Sequence, residues 1–476
     1  MKKTALLICS YLLTAQTVFA NEEAKMANTF NRLIAKSRLK PEEIGIYVLD
    51  QNKAIVEINA DKLMVPASLS KILTGGAILK KMPLNLQFMT ELKSDAQVEG
   101  NTLKGDLCFV GGGDPSFVSE KMWVLVNNFT RTGINKIAGN IIVDSSRFDN
   151  ELYDKGRDSV RVDRAYDAPV SASSFNWNSV NVYVRPGKKA NDPAVVFVDP
   201  PSTYFSLENK ATTAEKPDVK SISVSRVQNG QSDKIIVTGQ ISKDAEEMVT
   251  YKSITNPNLW TGTHLIEFLK QRNITVEGKV IVGDCKSQKV LSSVESKKII
   301  EMVSDMLKFS NNYVAEMLVK NLATFSDKFQ KNQKNASMED GIVIVKKYLE
   351  EIGVKKNQYE FSNVSGLNRK NQLSAKQISL VLQNIKNDFT IFPEFMAGLP
   401  IAGIDGTLKN RLKTEEKYNL IRAKTGHLDG VTGLAGYVGR DTESPLIFVF
   451  MFNGPIEKGY DARVLFDNLS KELVNY

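Results

Sequence analysis

Apolar residues along this chain recur at two periods, and the sequence divides where the period changes. Over 26–39, Phe30, Leu33 and Ile34 fall on one face of a helix, and the pattern ends before Pro41. Residues 44–50 and 54–58 are apolar, β-prone runs separated by Asp50-Gln51-Asn52, which predicts a hairpin. Pro66-Ala67-Ser68-Leu69-Ser70-Lys71 then opens a helical run to Leu79, with Ile72, Leu73, Ala77 and Leu79 available to bury one side. From about residue 84 to 294 the texture changes to short strand-like segments at 107–110, 141–143, 180–184, 222–224, 234–237 and 280–282, punctuated by Gly, Asn, Asp and Pro. Helical spacing returns over 296–322 and 337–352, strand-like runs follow at 434–438 and 446–452, and a last helix covers 460–473. The two ends share a character that the middle lacks. The pattern predicts one mixed α/β (α+β) domain, 21–83 and 296–476, split by a β-rich insertion over 84–295 of two subdomains. The entropy of closing a loop grows only slowly with length, so such an insertion is tolerable if its ends lie close together.

The first twenty residues read as an export signal. Lys2 and Lys3 precede an apolar run over 5–13, and Val18-Phe19-Ala20 supplies a cleavage site before Asn21. That run is too short to span a bilayer, and no later stretch reaches about 18 uninterrupted apolar residues. The reading is therefore an exported, periplasmic protein. Cys9 sits inside the apolar run, after Ile8, which does not suit a lipidation site. Removing the signal leaves Cys108 and Cys285, which either pair in an oxidising compartment or pack as two small hydrophobes. The net charge of +8 comes from scattered lysines, many beside glutamates. It supports at most peripheral attraction to an anionic envelope, and no basic stripe interleaved with aromatics points to nucleic acid. His264 and His427 are the only histidines, so neither a Cys/His zinc site nor a Ser-His-Asp device fits, and the chemistry below needs no metal or cofactor.

Three short motifs occur in order: Ser68-x-x-Lys71, Ser310-Asn311-Asn312 and Lys424-Thr425-Gly426. Each is weak by itself, since a second S-x-x-K stands at Ser37 to Lys40 and S-x-N recurs at Ser174 and Ser179. Taken singly, they read as a helix cap, a solvated lysine and a turn; their order and context make the set specific. Residues i and i+3 share a helix face, which brings the Lys71 amine to the Ser68 hydroxyl. A serine is inert without a base, and lysine can serve where desolvation and a second cation lower its pKa. Lys424 is the candidate for that cation. A nucleophile at the first turn also gains from the helix dipole and from its own N–H facing a developing oxyanion. Lys424-Thr425-Gly426 precedes an apolar run and suits an edge strand lining a cleft, with Gly426 letting a substrate backbone approach.

This set resembles the S-x-x-K, S-x-N and K-T-G motifs of penicillin-binding proteins and serine β-lactamases. The long interval between Lys71 and Ser310 makes it similar to the class C low-molecular-mass penicillin-binding proteins, the D-Ala-D-Ala carboxypeptidase/endopeptidase family S13. Further similarity lies in Gly105-Asp106-Leu107, Gly111-Gly112-Gly113-Asp114-Pro115, Pro169-Val170-Ser171-Ala172, Ser365-Gly366-Leu367-Asn368-Arg369 and the 399–408 segment with Arg411. The resemblance implies a transpeptidase-like antiparallel sheet flanked by helices, and hydrolysis of peptidoglycan stem peptides through an acyl-enzyme that β-lactams also form. It casts Ser68 as nucleophile, Lys71 as base, and Ser310 with Asn312 as the wall that relays a proton and holds the substrate amide. Lys424 and Thr425 would bind the terminal carboxylate, the N–H groups of Ser68 and His427 the oxyanion, and Arg369 a distal acidic group. Two departures stand out: His427 replaces the hydroxyl residue that usually follows K-T-G, and Asn363 stands where the family often has Asp. The alternatives are a β-lactamase or esterase on the same scaffold, which would release penicillin quickly, and a catalytically silent wall-binding module.

Overall fold

The computed structural model describes residues 22–157, 163–217, 219, 221–413, 415–440 and 444–476, with only the backbone of Asn332. The proposed signal segment 1–20, with Cys9, and Asn21 lie outside the described residues. The described residues form two compact units, one within 1–81, 303–311 and 342–476, the other within 82–302 and 312–341.

The first unit is built on a five-stranded antiparallel sheet. Strands β1 (Ile44–Asp50) and β2 (Lys53–Ile58) form the expected hairpin, and β3 (Ile421–Leu428), β4 (Val431–Val438) and β5 (Leu446–Asn453) complete the order β2-β1-β5-β4-β3. Nearly every residue of β4 and β5 is buried, as expected of central strands covered on both faces. On one face Phe448 and Phe450 pack with Phe30 and Ile34 of the helix over 22–36 and with Leu465, Phe466, Leu469 and Leu473 of the last helix, Gly459–Val474. Those last positions recur at i, i+4, i+8, so one stripe of that helix faces the core. The other face carries Ser70–Lys81 and Ala375–Lys386. The second of these, which the sequence pattern missed, is closed by a Ser374–Gln377 capping box and tied to β4 by the Tyr437 hydroxyl, which donates to the Leu382 carbonyl at 2.8 Å.

The second unit contains several small sheets. The largest runs Val280–Val282, Ile141–Asp144, Leu107–Val110, Met89–Lys93 and Val290–Glu295, parallel at one end and antiparallel at the other. Two three-stranded sheets lie within 179–253, and one continuous buried cluster from Leu92 to Ile274 serves all three sheets. Cys108 and Cys285 are joined by a disulfide. The line between the units differs from the one drawn on texture, because Asn312–Leu322 and the chain to Gly341 are counted with the second unit. The reason is a set of buried polar bonds invisible to periodicity: Arg157 holds Glu316 at 2.8 Å, Lys320 pairs with Asp149, and the Asn321 amide donates to the Gly113 carbonyl.

Candidate active site

Ser68 lies in a short 3-10 turn, Ala67–Leu69, that runs directly into the helix Ser70–Lys81. The turn starts from a left-handed Ala67 (φ 48°), a costly conformation for a residue with a side chain and one that persists only where surroundings impose it. Gly366 is part of those surroundings. It has φ 84°, and a Cβ there would stand 2.0 Å from the Ala67 carbonyl oxygen, so only glycine lets the two backbones approach. The approach serves Lys71. Its ammonium, fully buried, donates to Ser68 Oγ at 3.1 Å and to the Ser365 carbonyl. The i, i+3 geometry read from the sequence is therefore realised, and a carbonyl from a distant loop aims the amine.

Asn363 organises that loop. Its side-chain oxygen accepts from Ser365 Oγ at 3.1 Å and from the Leu367 N–H at 2.8 Å, while the Asn371 amide donates to Ser70 Oγ and accepts the Asn363 N–H. A carboxylate oxygen at position 363 would accept the same two bonds, so the departure from Asp leaves this turn intact.

Ser310 follows the helix Ile299–Lys308. The apolar spacing over 296–322 suggested one helical run, but the chain breaks at 309–311, where Ser310 takes φ 55°, and a new helix begins at Asn312. The break turns the Ser310 hydroxyl to accept from Lys424 Nζ at 2.7 Å. Asn312 is buried at the start of Asn312–Leu322, in the second unit, and its amide nitrogen donates to the Tyr166 carbonyl at 3.3 Å.

Lys424 stands on β3, the outer strand of the sheet, and is wholly buried. Burial, and then the neighbouring charge of Lys71, hold its pKa well below the ordinary lysine value. The sequence cast Lys424 as the charge that would act on Lys71. The two amines are close enough to feel each other, and the site resists holding both charges.

The strand also presents backbone donors. The Ala423 N–H bonds outward to the Pro400 carbonyl, away from β4. Alternation along an antiparallel strand carries the N–H groups of Thr425 and His427 to the same outer edge. Gly426 passes so close to the Ser68 turn that a Cβ would lie 2.9 Å from the Pro66 carbonyl oxygen. Thr425 is partly exposed and donates to the Thr407 hydroxyl at 2.8 Å; the His427 side chain is exposed. Arg369 is exposed and reaches the Asp429 carbonyl just beyond β3. The first unit thus brings Ser68, Lys71, Ser310, Lys424, Thr425, Gly426, His427 and Arg369 into one network of turns and strand. Sequence reasoning missed the parts played by Ser365, Gly366 and Thr407, although the S-G-L and D-G-T segments had marked their neighbourhoods. His264 is buried against Trp260 and Phe175 in the second unit, away from any of these motifs in sequence. Among the described residues no group of three or more His, Cys, Asp and Glu could hold a metal ion, and no helix is long and apolar enough to cross a membrane.

A hydroxyl bonded to a buried amine, a second buried amine on an edge strand and a second hydroxyl bound to it suit nucleophilic acyl transfer. Known proteins are similar to this chain over most of its length. A D-alanyl-D-alanine carboxypeptidase of Actinomadura sp. (strain R39) is 27% identical over 427 residues, 86% of this chain and 77% of that one. The crystal structure of penicillin binding protein 4 (dacB) from Haemophilus influenzae superposes with a TM-score of 0.78 at 24% identity, covering 91% of this chain and 96% of that one, and the same protein is known in complex with a β-lactam. Bd3459, a predatory peptidoglycan endopeptidase from Bdellovibrio bacteriovorus, shares the fold at a TM-score of 0.54 and 14% identity, over 90% of this chain and 92% of that one. The model of the D-Ala-D-Ala carboxypeptidase 3 (S13) family matches residues 26–471, and the chain belongs to that family.

Proposed function

We propose that this D-Ala-D-Ala carboxypeptidase acts through an ester on Ser68, with peptidoglycan stem peptides as substrates and β-lactams as acylating inhibitors. The observation that carries the reading is the Ser68 hydroxyl within 3.1 Å of a fully buried Lys71 amine. Burial and the neighbouring Lys71 charge lower the Lys424 pKa, so the site resists two positive charges. In the first step Ser68 Oγ attacks the carbonyl of the penultimate D-alanine and its proton passes to Lys71. The N–H groups of Ser68 and His427 hold the oxyanion. Their support is the outward alternation on β3 and the 2.9 Å approach of Gly426 to the Ser68 turn. In the second, the C–N bond breaks, the terminal D-alanine leaves as an amine protonated through Ser310, and the acyl group remains on Ser68. Water then cleaves the ester and restores the hydroxyl. Lys424 and Thr425 receive the terminal carboxylate, Asn312 the substrate amide, and Arg369 an acidic group further along the peptide. The N-terminal segment 1–20 directs export, so the enzyme works in the periplasm with at most peripheral attraction to the membrane. The two subdomains of the inserted region belong to the same reading.

The test is digestion of purified muropeptides with product identification. Loss of terminal D-alanine, with or without cleavage of cross-linked dimers, and complete inactivity of Ser68→Ala are expected; products that persist with Ser68→Ala refute the assignment.

A further inference from the structure

Thr425 is the only hydroxyl that K-T-G itself offers to a substrate carboxylate, because His427 occupies the next position on the same face of β3. The structure supplies another from elsewhere. The loop before β3 is fixed to it by the Ala423 N–H bond to Pro400 and the Ala402 N–H bond to Ile421, and it carries Thr407 to 2.8 Å from Thr425 Oγ1. Three features hold Thr407 in place. Asp405 accepts the Ile401 N–H at 2.8 Å through one oxygen and Lys308 through the other, and Lys308 also donates to the Leu399 carbonyl at 2.8 Å. Gly406 has φ 54°, and a Cβ there would lie 2.5 Å from the Lys308 carbonyl oxygen, so the loop turns tightly against the residue two before Ser310. Thr407 itself is exposed.

Two hydroxyls that share one hydrogen bond keep a proton free between them, and neither residue is buried. Lys308 neutralises Asp405, so the nearby carboxylate does not repel an anion. We propose that Thr407 is a specificity-determining residue: with Thr425 it forms a two-hydroxyl cradle for the carboxylate of the leaving residue, replacing the hydroxyl absent at His427. This rests on the peptidase reading above and deepens it.

The experiment compares acylation of Ser68 by an acyl-D-alanyl-D-lactate depsipeptide with acylation by the same depsipeptide amidated at its terminal carboxyl, followed by intact-protein mass spectrometry. The ratio of the two rates measures carboxylate preference. Thr407→Val should lower that ratio about tenfold, the loss of one hydrogen bond to a charged group. Thr407→Ser should keep it, and adding His427→Ser to Thr407→Val should restore most of it. An unchanged ratio in Thr407→Val, equal losses for both substrates, or no rescue by the added hydroxyl overturns the proposal. A Ser68→Ala protein that is still acylated would instead refute the nucleophile, which keeps the two failures distinguishable.

Discussion

The two units treat buried cations in opposite ways. In the second unit the buried lysines and arginine among the described residues meet carboxylates: Arg157 with Glu316 and Asp167, Lys252 with Asp163, Lys320 with Asp149; Arg147, less buried, bonds to the Asn321 side-chain oxygen, and burial lowers its pKa to about 10. For Arg157 burial opposes the charge, but the two carboxylates more than offset it and raise the pKa above the ordinary arginine value. In the first unit the buried cations among the described residues are Lys71 and Lys424. Lys424 has a hydroxyl and a carbonyl as its partners, and its pKa is pushed down by burial and by the other lysine. A paired charge is inert scaffolding, whereas a buried amine held by a hydroxyl and a carbonyl, as Lys424 is, is more easily discharged.

Substitutions that remove one cation at a time break this contrast in graded ways. Lys71→Met should lower the rate of Ser68 acylation by about 10²–10⁴, the usual worth of a general base, with a normal unfolding curve. Arg157→Met removes the buried cation shared by two carboxylates and should cost about 3–5 kcal/mol of stability, read from the urea midpoint. Lys424→Met should do the reverse. Replacing a buried amine whose charge is disfavoured by an apolar chain is expected to raise stability at neutral pH while abolishing turnover. The sign follows from linkage: a lysine whose folded pKa is depressed binds fewer protons folded than unfolded, so wild-type stability rises with pH from its folded pKa up to the ordinary lysine value. The gain from Lys424→Met should therefore shrink as pH rises toward about 10.4 in denaturation series. At the bottom of the scale, Lys53→Ala breaks an exposed pair with Glu23 and should change stability by less than about 1 kcal/mol.

What could be read from sequence follows the same division. The hairpin at 44–58, the helix after Ser68, the strands β4 and β5 and the last helix were legible because each buries apolar residues, as a stripe in the last helix and as continuous runs in β4 and β5. The three motifs were legible because side chains three residues apart on a helix, or next to a glycine on an edge strand, have their chemistry fixed locally. Contacts over long separations were not. Periodicity ran through 309–311, where the chain breaks to present Ser310, and gave no sign that Arg157 would bind Glu316 and draw Asn312–Leu322 to the second unit. The Ser365 carbonyl on Lys71 and the Thr407 hydroxyl on Thr425 depend on loops placed by Gly366 and Gly406, whose left-handed backbones are visible only once their neighbours are known. Cys108 and Cys285 left two alternatives open until the fold joined them.

The central claim, that the amine-activated hydroxyl of Ser68 is the group that is acylated, is tested most directly by treating the protein with fluorescent penicillin and sequencing the labelled peptide by mass spectrometry. The account predicts one adduct, on Ser68, that is lost in Ser68→Ala and strongly slowed in Lys71→Met. An adduct on any other residue, or labelling of Ser68→Ala at the wild-type rate, would contradict it.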